Sequence, residues 1–210
     1  MSGGEGMSGL AIRFRKTHRG GSVKFRSVAF LGASMALLLA APADASQDEE
    51  RHCVAFLVPV APESEAGVTT AAVEDGGCYT TLEEALEVGS GGLVALAAGT
   101  SPAELTQSLL DSAVSAAADV LLGIEYDNTG FIGPSKSYFA ASGCASTTWQ
   151  VSNVGSNWND RFESGVGFGT CDHNRKFEHA DFGGSVVLCT PNCSTYGTLR
   201  NEVTSLRWAD

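Results

Sequence analysis

The chain has 210 residues, 43% of them hydrophobic, with 24 acidic against 13 basic side chains and a net charge of −11. An acidic surface of this kind repels nucleic acid and anionic membrane faces, which argues against both as partners. It suits a soluble exported protein, or one that meets cations or basic partners.

Residues 1–45 read as an export signal rather than as part of a fold. Arg13, Arg15, Lys16, Arg19, Lys24 and Arg26 form a basic stretch, Val28 to Ala41 an apolar run, and Ala43-Asp44-Ala45 a small-x-small cleavage site before Ser46. The competing reading is a retained membrane anchor, but this apolar run falls short of the roughly 20 residues that a spanning helix needs. The chain is therefore expected to be secreted, with no membrane association after cleavage. Six of the 13 bases and two of the 24 acids precede residue 46, so residues 46–210 would carry seven bases and 22 acids, a net −15.

All six cysteines follow the signal: Cys53, Cys78, Cys144, Cys171, Cys189 and Cys193. An even number in an exported chain reads as disulfides. Order along the chain favours Cys53–Cys78, Cys144–Cys171 and Cys189–Cys193. Zinc is the competing use, but the C-x3-C of Cys189 and Cys193 has no second close pair to complete a four-ligand site.

Residues 46–118 are rich in acids, with Arg51 their one base, and they hold no Trp and the single Tyr79. His52 to Val60, HCVAFLVPV, has the look of a buried strand. Thr80-Thr81-Leu82-Glu83 reads as a capping box before a short helix, LEEALEVG, stopped by Gly89. Ser101-Pro102-Ala103-Glu104 is a second helix start, followed by Leu105, Leu109 and Leu110 at helical spacing. So small a segment, poor in aromatics, builds little core of its own. The expectation is an α/β appendage, 46–118, closed by one disulfide.

Residues 119–210 are of another kind. They contain all three Trp and short β-rich runs, VLLGIEY, KSYFAA, TTWQVSN, SGVGF and GSVVLC, which predict antiparallel strands in a sandwich or barrel. Within them a pattern occurs twice. Tyr126, Phe131 and Gly133 are spaced aromatic-x4-aromatic-x-Gly, and Phe177, Phe182 and Gly184 repeat that spacing 51 residues on. Each copy is followed by a related element, Trp158-NDRFES ending at Ser164 and Leu199-RNEVTS ending at Ser205. Two matched elements in the same order, twice, indicate an internal duplication. The spacing suits a β-hairpin folded back on its sheet: the glycine takes the backbone angle of the bend, the aromatics cover it, and the later serine pins it.

At these residues the chain resembles the βγ-crystallin superfamily, over about 120–208. The resemblance implies a mainly β fold, a double Greek-key sandwich of two four-stranded units, with the α/β appendage before it. It implies Ca2+ as ligand, held by oxygens of the second element together with groups from the hairpins. Asn159, Asp160, Glu163 and Ser164 stand at those positions in the first copy, Asn201 and Thr204 in the second, with Asp127 and Glu178 on the hairpins. Glu163 stands in place of the expected hydroxyl, and Arg200 puts a cation where a ligand is expected. Ca2+ accepts six to eight oxygens in forgiving geometry, and an extracellular module binds it at about 10⁻⁴–10⁻³ M.

The superfamily also includes secreted bacterial metalloproteinase inhibitors. That likeness implies an extracellular protease as partner, met by the loop Cys189, Thr190, Pro191, Asn192 and Cys193. A small disulfide-closed loop loses little entropy on entering a cleft. Enzyme function has weaker support. The sequence carries no G-x-S-x-G, H-E-x-x-H or C-x-x-C, and the carboxylate–imidazole neighbours Asp172-His173 and Glu178-His179 point to opposite faces if they lie on strands. Trp149, Trp158 and Trp208 suit a glycan site if exposed and a core if buried.

Overall fold

The β-branched and aromatic runs become strands. The computed structural model describes residues 51–60, 67–94, 96 and 119–210. Its strands are β1 (His52–Pro59), β2 (Val68–Tyr79), β3 (Val120–Asn128), β4 (Ile132–Ala140), β5 (Thr148–Val151), β6 (Ser164–Gly167), β7 (His173–Phe177), β8 (Val186–Cys189) and β9 (Ser205–Ala209). The export signal expected at 1–45 and the helix start expected at Ser101 lie outside the described residues.

The strands follow one another in the order β6-β3-β4-β1-β2-β5-β9-β7-β8. Two duplicated units are visible in that order. β3, β4 and β6 form one antiparallel group, and β7, β8 and β9 form the other. Each unit gives one segment to the other. β5 crosses over to pair with β9, and the backbone at Cys193 crosses back to bridge Gly165 in β6. This exchange is the double Greek key that the repeat predicts.

The N-terminal strands extend that scheme. β1 runs parallel to β4, with His52 opposite Ser135 and Leu57 opposite Ala140. β2 runs parallel to β5, and β1 and β2 pair with each other. The segment expected as an appendage therefore supplies two strands in the middle of the sheet. The expected boundary at 118/119 is a change of composition across which hydrogen bonds run. The physical reason is the open edges of β4 and β5, which would otherwise present unpaired N–H and C=O groups; this hairpin covers both at once.

Helix α1 (Leu82–Gly89) begins where the Thr81 side chain accepts the Glu84 N–H at 3.2 Å. The cap is thus Thr81, one residue later than expected, with Glu84 at the third helical position. Leu82, Ala85 and Leu86 are buried against Val54, Leu121, Ile124 and Phe139 on the outer face of the sheet. Each fully buried large apolar side chain contributes about 1.5–3 kcal/mol. Gly89 does more than end the helix, since any Cβ there would run into the Phe139 ring. A second apolar layer fills the space between the two Greek keys, built from Leu122, Tyr138, Trp149, Tyr196, Leu206 and Trp208 among others.

Candidate functional site

Each hairpin folds over as its spacing requires. Phe131 and Phe182 both have φ 64°, with Gly133 at 81° and Gly184 at 75°. Tyr126 and Phe131 meet edge to face at 6.2 Å, Phe177 and Phe182 at 5.6 Å. The expected serine pins are present in both copies. Ser164 Oγ accepts the Phe131 N–H at 3.1 Å and donates to the Asn128 carbonyl at 2.6 Å. Ser205 Oγ accepts the Phe182 N–H at 3.1 Å and donates to the His179 carbonyl at 2.7 Å.

The two later elements lie against each other with the same symmetry. The Asp160 N–H bonds to the Val203 carbonyl at 3.2 Å and the Asn201 N–H to the Phe162 carbonyl at 3.1 Å. Asp160 and Asn201 occupy equivalent positions and share a left-handed backbone, φ 57° and 58°. Glu163 and Thr204 are likewise equivalent, their N–H groups bonding to Tyr126 and Phe177 carbonyls. A residue of one copy therefore works beside its counterpart's neighbour. Asn201 Nδ2 donates to Glu163 Oε1 at 2.6 Å, and Thr204 follows directly on the carbonyl that Asp160 engages.

The expected ligands thus lie on both sides of this junction. Asn159 Nδ2 donates to Asp160 Oδ2 at 2.6 Å, while Asn159 Oδ1 is buried without a partner. Asp127 is engaged by Arg161, whose Nε and Nη2 reach its two oxygens at 3.0 and 2.6 Å. Glu178 Oε2 accepts the Ser185 N–H at 2.8 Å; that bond, more than any other influence, holds the carboxyl below its usual range. Among the described residues no three His, Cys, Asp or Glu side chains converge as a metal cluster, so any cation here relies on amide, hydroxyl and backbone oxygens as well.

The three disulfides join the pairs favoured by chain order. They place the chain in an oxidising environment. In the 189–193 loop Thr190 and Asn192 are exposed, while the Pro191 carbonyl accepts from Asn174 Nδ2 at 2.9 Å and Asn192 Oδ1 from the Gly167 N–H at 3.3 Å. Trp149, Trp158 and Trp208 are all buried, which removes the exposed-aromatic basis for a glycan site. His52 Nδ1 meets Ser135 Oγ at 2.8 Å inside the sheet.

Sequence reasoning missed one group. Glu125, Lys176 and Tyr196 meet between the two Greek keys: the Lys176 ammonium contacts Glu125 Oε1, and the Tyr196 hydroxyl donates to Oε2. Charged residues inside the runs VLLGIEY and NRKF were the available signal, but alternation alone does not say which face of a strand is the interior.

Folded hairpins latched by serine, duplicated and exchanging one strand each, define a βγ-crystallin-like double Greek key. No family model and no curated protein matches the chain. Among solved structures it is similar to an archaeal βγ-crystallin at 25% identity, over 42% of this chain and 96% of that one, with a TM-score of 0.31. It is also similar to a βγ-crystallin domain from Clostridium beijerinckii (16% identity, 42% and 97%, TM-score 0.33) and to the βγ-crystallin of Ciona intestinalis (19%, 40% and 94%, TM-score 0.30).

Proposed function

We propose that this chain is an exported, non-enzymatic βγ-crystallin-like module that holds Ca2+ weakly where its two Greek keys meet. The observation that carries this reading is the antiparallel docking of the two later elements through Asp160–Val203 and Asn201–Phe162. It sets the loop of Asp160 and Glu163 against the loop of Asn201 and Thr204, with Asn201 reaching Glu163 across the junction. The buried, unpartnered Asn159 Oδ1 supports the Asp160 side as the occupied one. A hard cation there would tie both copies together and use water for the rest of its shell, which fits weak affinity. Arg200, at the position equivalent to Asn159, disfavours a second ion on the Glu163 side.

Thermal unfolding of the disulfide-bonded protein in EDTA and in about 5 mM Ca2+ tests this. With a dissociation constant of roughly 10⁻⁴ M, linkage gives about 2.3 kcal/mol of stabilisation. Loss of the shift in Asp160→Ala would support the Asp160 side; no shift in the unaltered protein would overturn the proposal.

A second reading, inhibition of an extracellular metalloprotease, is favoured by the closed Cys189–Cys193 ring with Thr190 exposed on it. The ring is held from beneath by Asn174 and Gly167, so it would meet a cleft already shaped. Inhibition by the intact protein, abolished in Thr190→Asp, is the expected result, and full protease activity at saturating protein would exclude it.

A further inference from the structure

We propose that Lys176 and Glu125 become joined by an amide bond between Nζ and Cδ, formed inside the folded protein with release of one water. The two residues occupy equivalent positions in the duplicated unit, each directly before the first aromatic of its hairpin, Tyr126 and Phe177. Their strands, β3 and β7, face each other across the interior. The side chains are 2% and 0% exposed, and the amine nitrogen rests against the carboxylate oxygen Oε1.

The chemistry follows from that setting. An ammonium and a carboxylate sealed from water are each costly to keep charged, and moving one proton between them gives a neutral amine beside a neutral carboxylic acid. Burial already pushes the Lys176 amine toward its neutral form, against the pull of Glu125. The neutral amine is the nucleophile, and the two strands hold it against its target, which replaces a bimolecular encounter. As Nζ bonds to Cδ, negative charge gathers on Oε2, where the Tyr196 hydroxyl donates a hydrogen bond; a donor aimed at a developing oxyanion lowers the barrier. Oε1 then leaves as water, carrying two of the three ammonium protons, and Nζ keeps the third. One C–N bond forms, one C–O bond breaks, and nothing is oxidised or reduced.

The surroundings suit both formation and persistence. The Tyr196 and Trp208 rings stand 5.7 and 5.5 Å from Nζ and exclude water. Gly165 leaves the space for the Tyr196–Glu125 contact, since a Cβ there would overlap both groups. The product amide carries no charge and so removes the burial cost of the pair. It would tie β3 to β7, which none of the three disulfides does, and it does not depend on calcium.

Intact-mass spectrometry of the purified folded protein, reduced and alkylated after denaturation, decides the matter. The expected mass is one water below that calculated for the alkylated chain, with a branched peptide joining the segments around 125 and 176 after digestion. Glu125→Gln is expected to form the same amide with loss of ammonia instead of water. Lys176→Arg keeps the positive charge but lacks the amine, so it is expected to show the full mass. The full calculated mass of the alkylated chain in the unaltered protein would overturn the proposal and leave a buried ion pair only.

Discussion

Glu125 and Lys176 stand 51 residues apart, the period of the duplication itself, and meet across the axis that relates its two copies. One ancestral position thus carries opposite charges in the two Greek keys. Identical residues there would set like charges against each other. The interior also keeps the Tyr196 hydroxyl on Glu125, and burial beside that carboxylate raises the phenol well above its usual value.

Removing one member of this group strands the other. Lys176→Met is expected to lower stability by about 3–5 kcal/mol, since it removes the tie between β3 and β7 and leaves a carboxyl among aromatic rings with Tyr196 as its remaining partner. Denaturant unfolding at pH 7 measures it, and a loss below about 1 kcal/mol would show that the interior tolerates the stranded acid.

The serine latches are expected to be equivalent. Ser164 and Ser205 are both fully buried, and each hydroxyl both accepts from and donates to the backbone of its own hairpin. Alanine at either position removes two hydrogen bonds to partly buried backbone groups, each worth about 0.5–1.5 kcal/mol. Similar midpoint shifts in Ser164→Ala and Ser205→Ala, read by denaturant titration, are the expected outcome.

The two bend glycines should differ. Both have positive φ, which costs an L-residue roughly 1–2 kcal/mol. At Gly133 an added Cβ meets the far end of the Asn128 side chain, which can swing away. At Gly184 it meets Glu178 Cβ at 2.8 Å, close to the backbone and unable to yield. Gly184→Ala is therefore expected to destabilise more than Gly133→Ala in parallel melts.

Lys136 makes a prediction about pH. It is 8% exposed, donates to the Val154 carbonyl at 3.0 Å, and burial pushes its amine from 10.5 down to about 8, partly opposed by Asp75. Between pH 8 and 10 the unfolded chain holds the proton more firmly than the fold does, so this residue makes stability rise with pH in that window. The raised phenols of Tyr126, Tyr138 and Tyr196 act in the opposite sense, but only above the ordinary tyrosine value near 10. Melting temperatures from pH 8 to 10 are expected to climb in the unaltered protein relative to Lys136→Met.

Arg161 holds Asp127 in a partly exposed pair, worth less than about 1 kcal/mol. Arg161→Gln is expected to cost little stability while tightening Ca2+ by releasing a carboxylate near the junction. Calorimetric titration would show it, and unchanged or weaker binding would separate Asp127 from the site.

Much of this protein was legible in one dimension because its information is local. The aromatic–glycine spacing of 126–133 and 177–184 determined the folded hairpins, since only that bend satisfies both rings and the glycine. Ser164 and Ser205 announced the latches, and cysteine order announced three disulfides. The helix at 82–89 followed from its periodicity and stop, with its cap one residue later than expected. What only the tertiary structure decided was who lies beside whom. The strands at 52–59 and 68–79 look in sequence like a separate piece, yet they fill the gap between β4 and β5, because unpaired strand edges attract whatever extended segment the chain can bring to them. The division of Asp160, Glu163, Asn201 and Thr204 between two sides of a junction comes from the pseudo-symmetric docking of two loops. The meeting of Glu125 with Lys176 depends on which face of each strand turns inward, a choice that a period of two leaves open and packing settles.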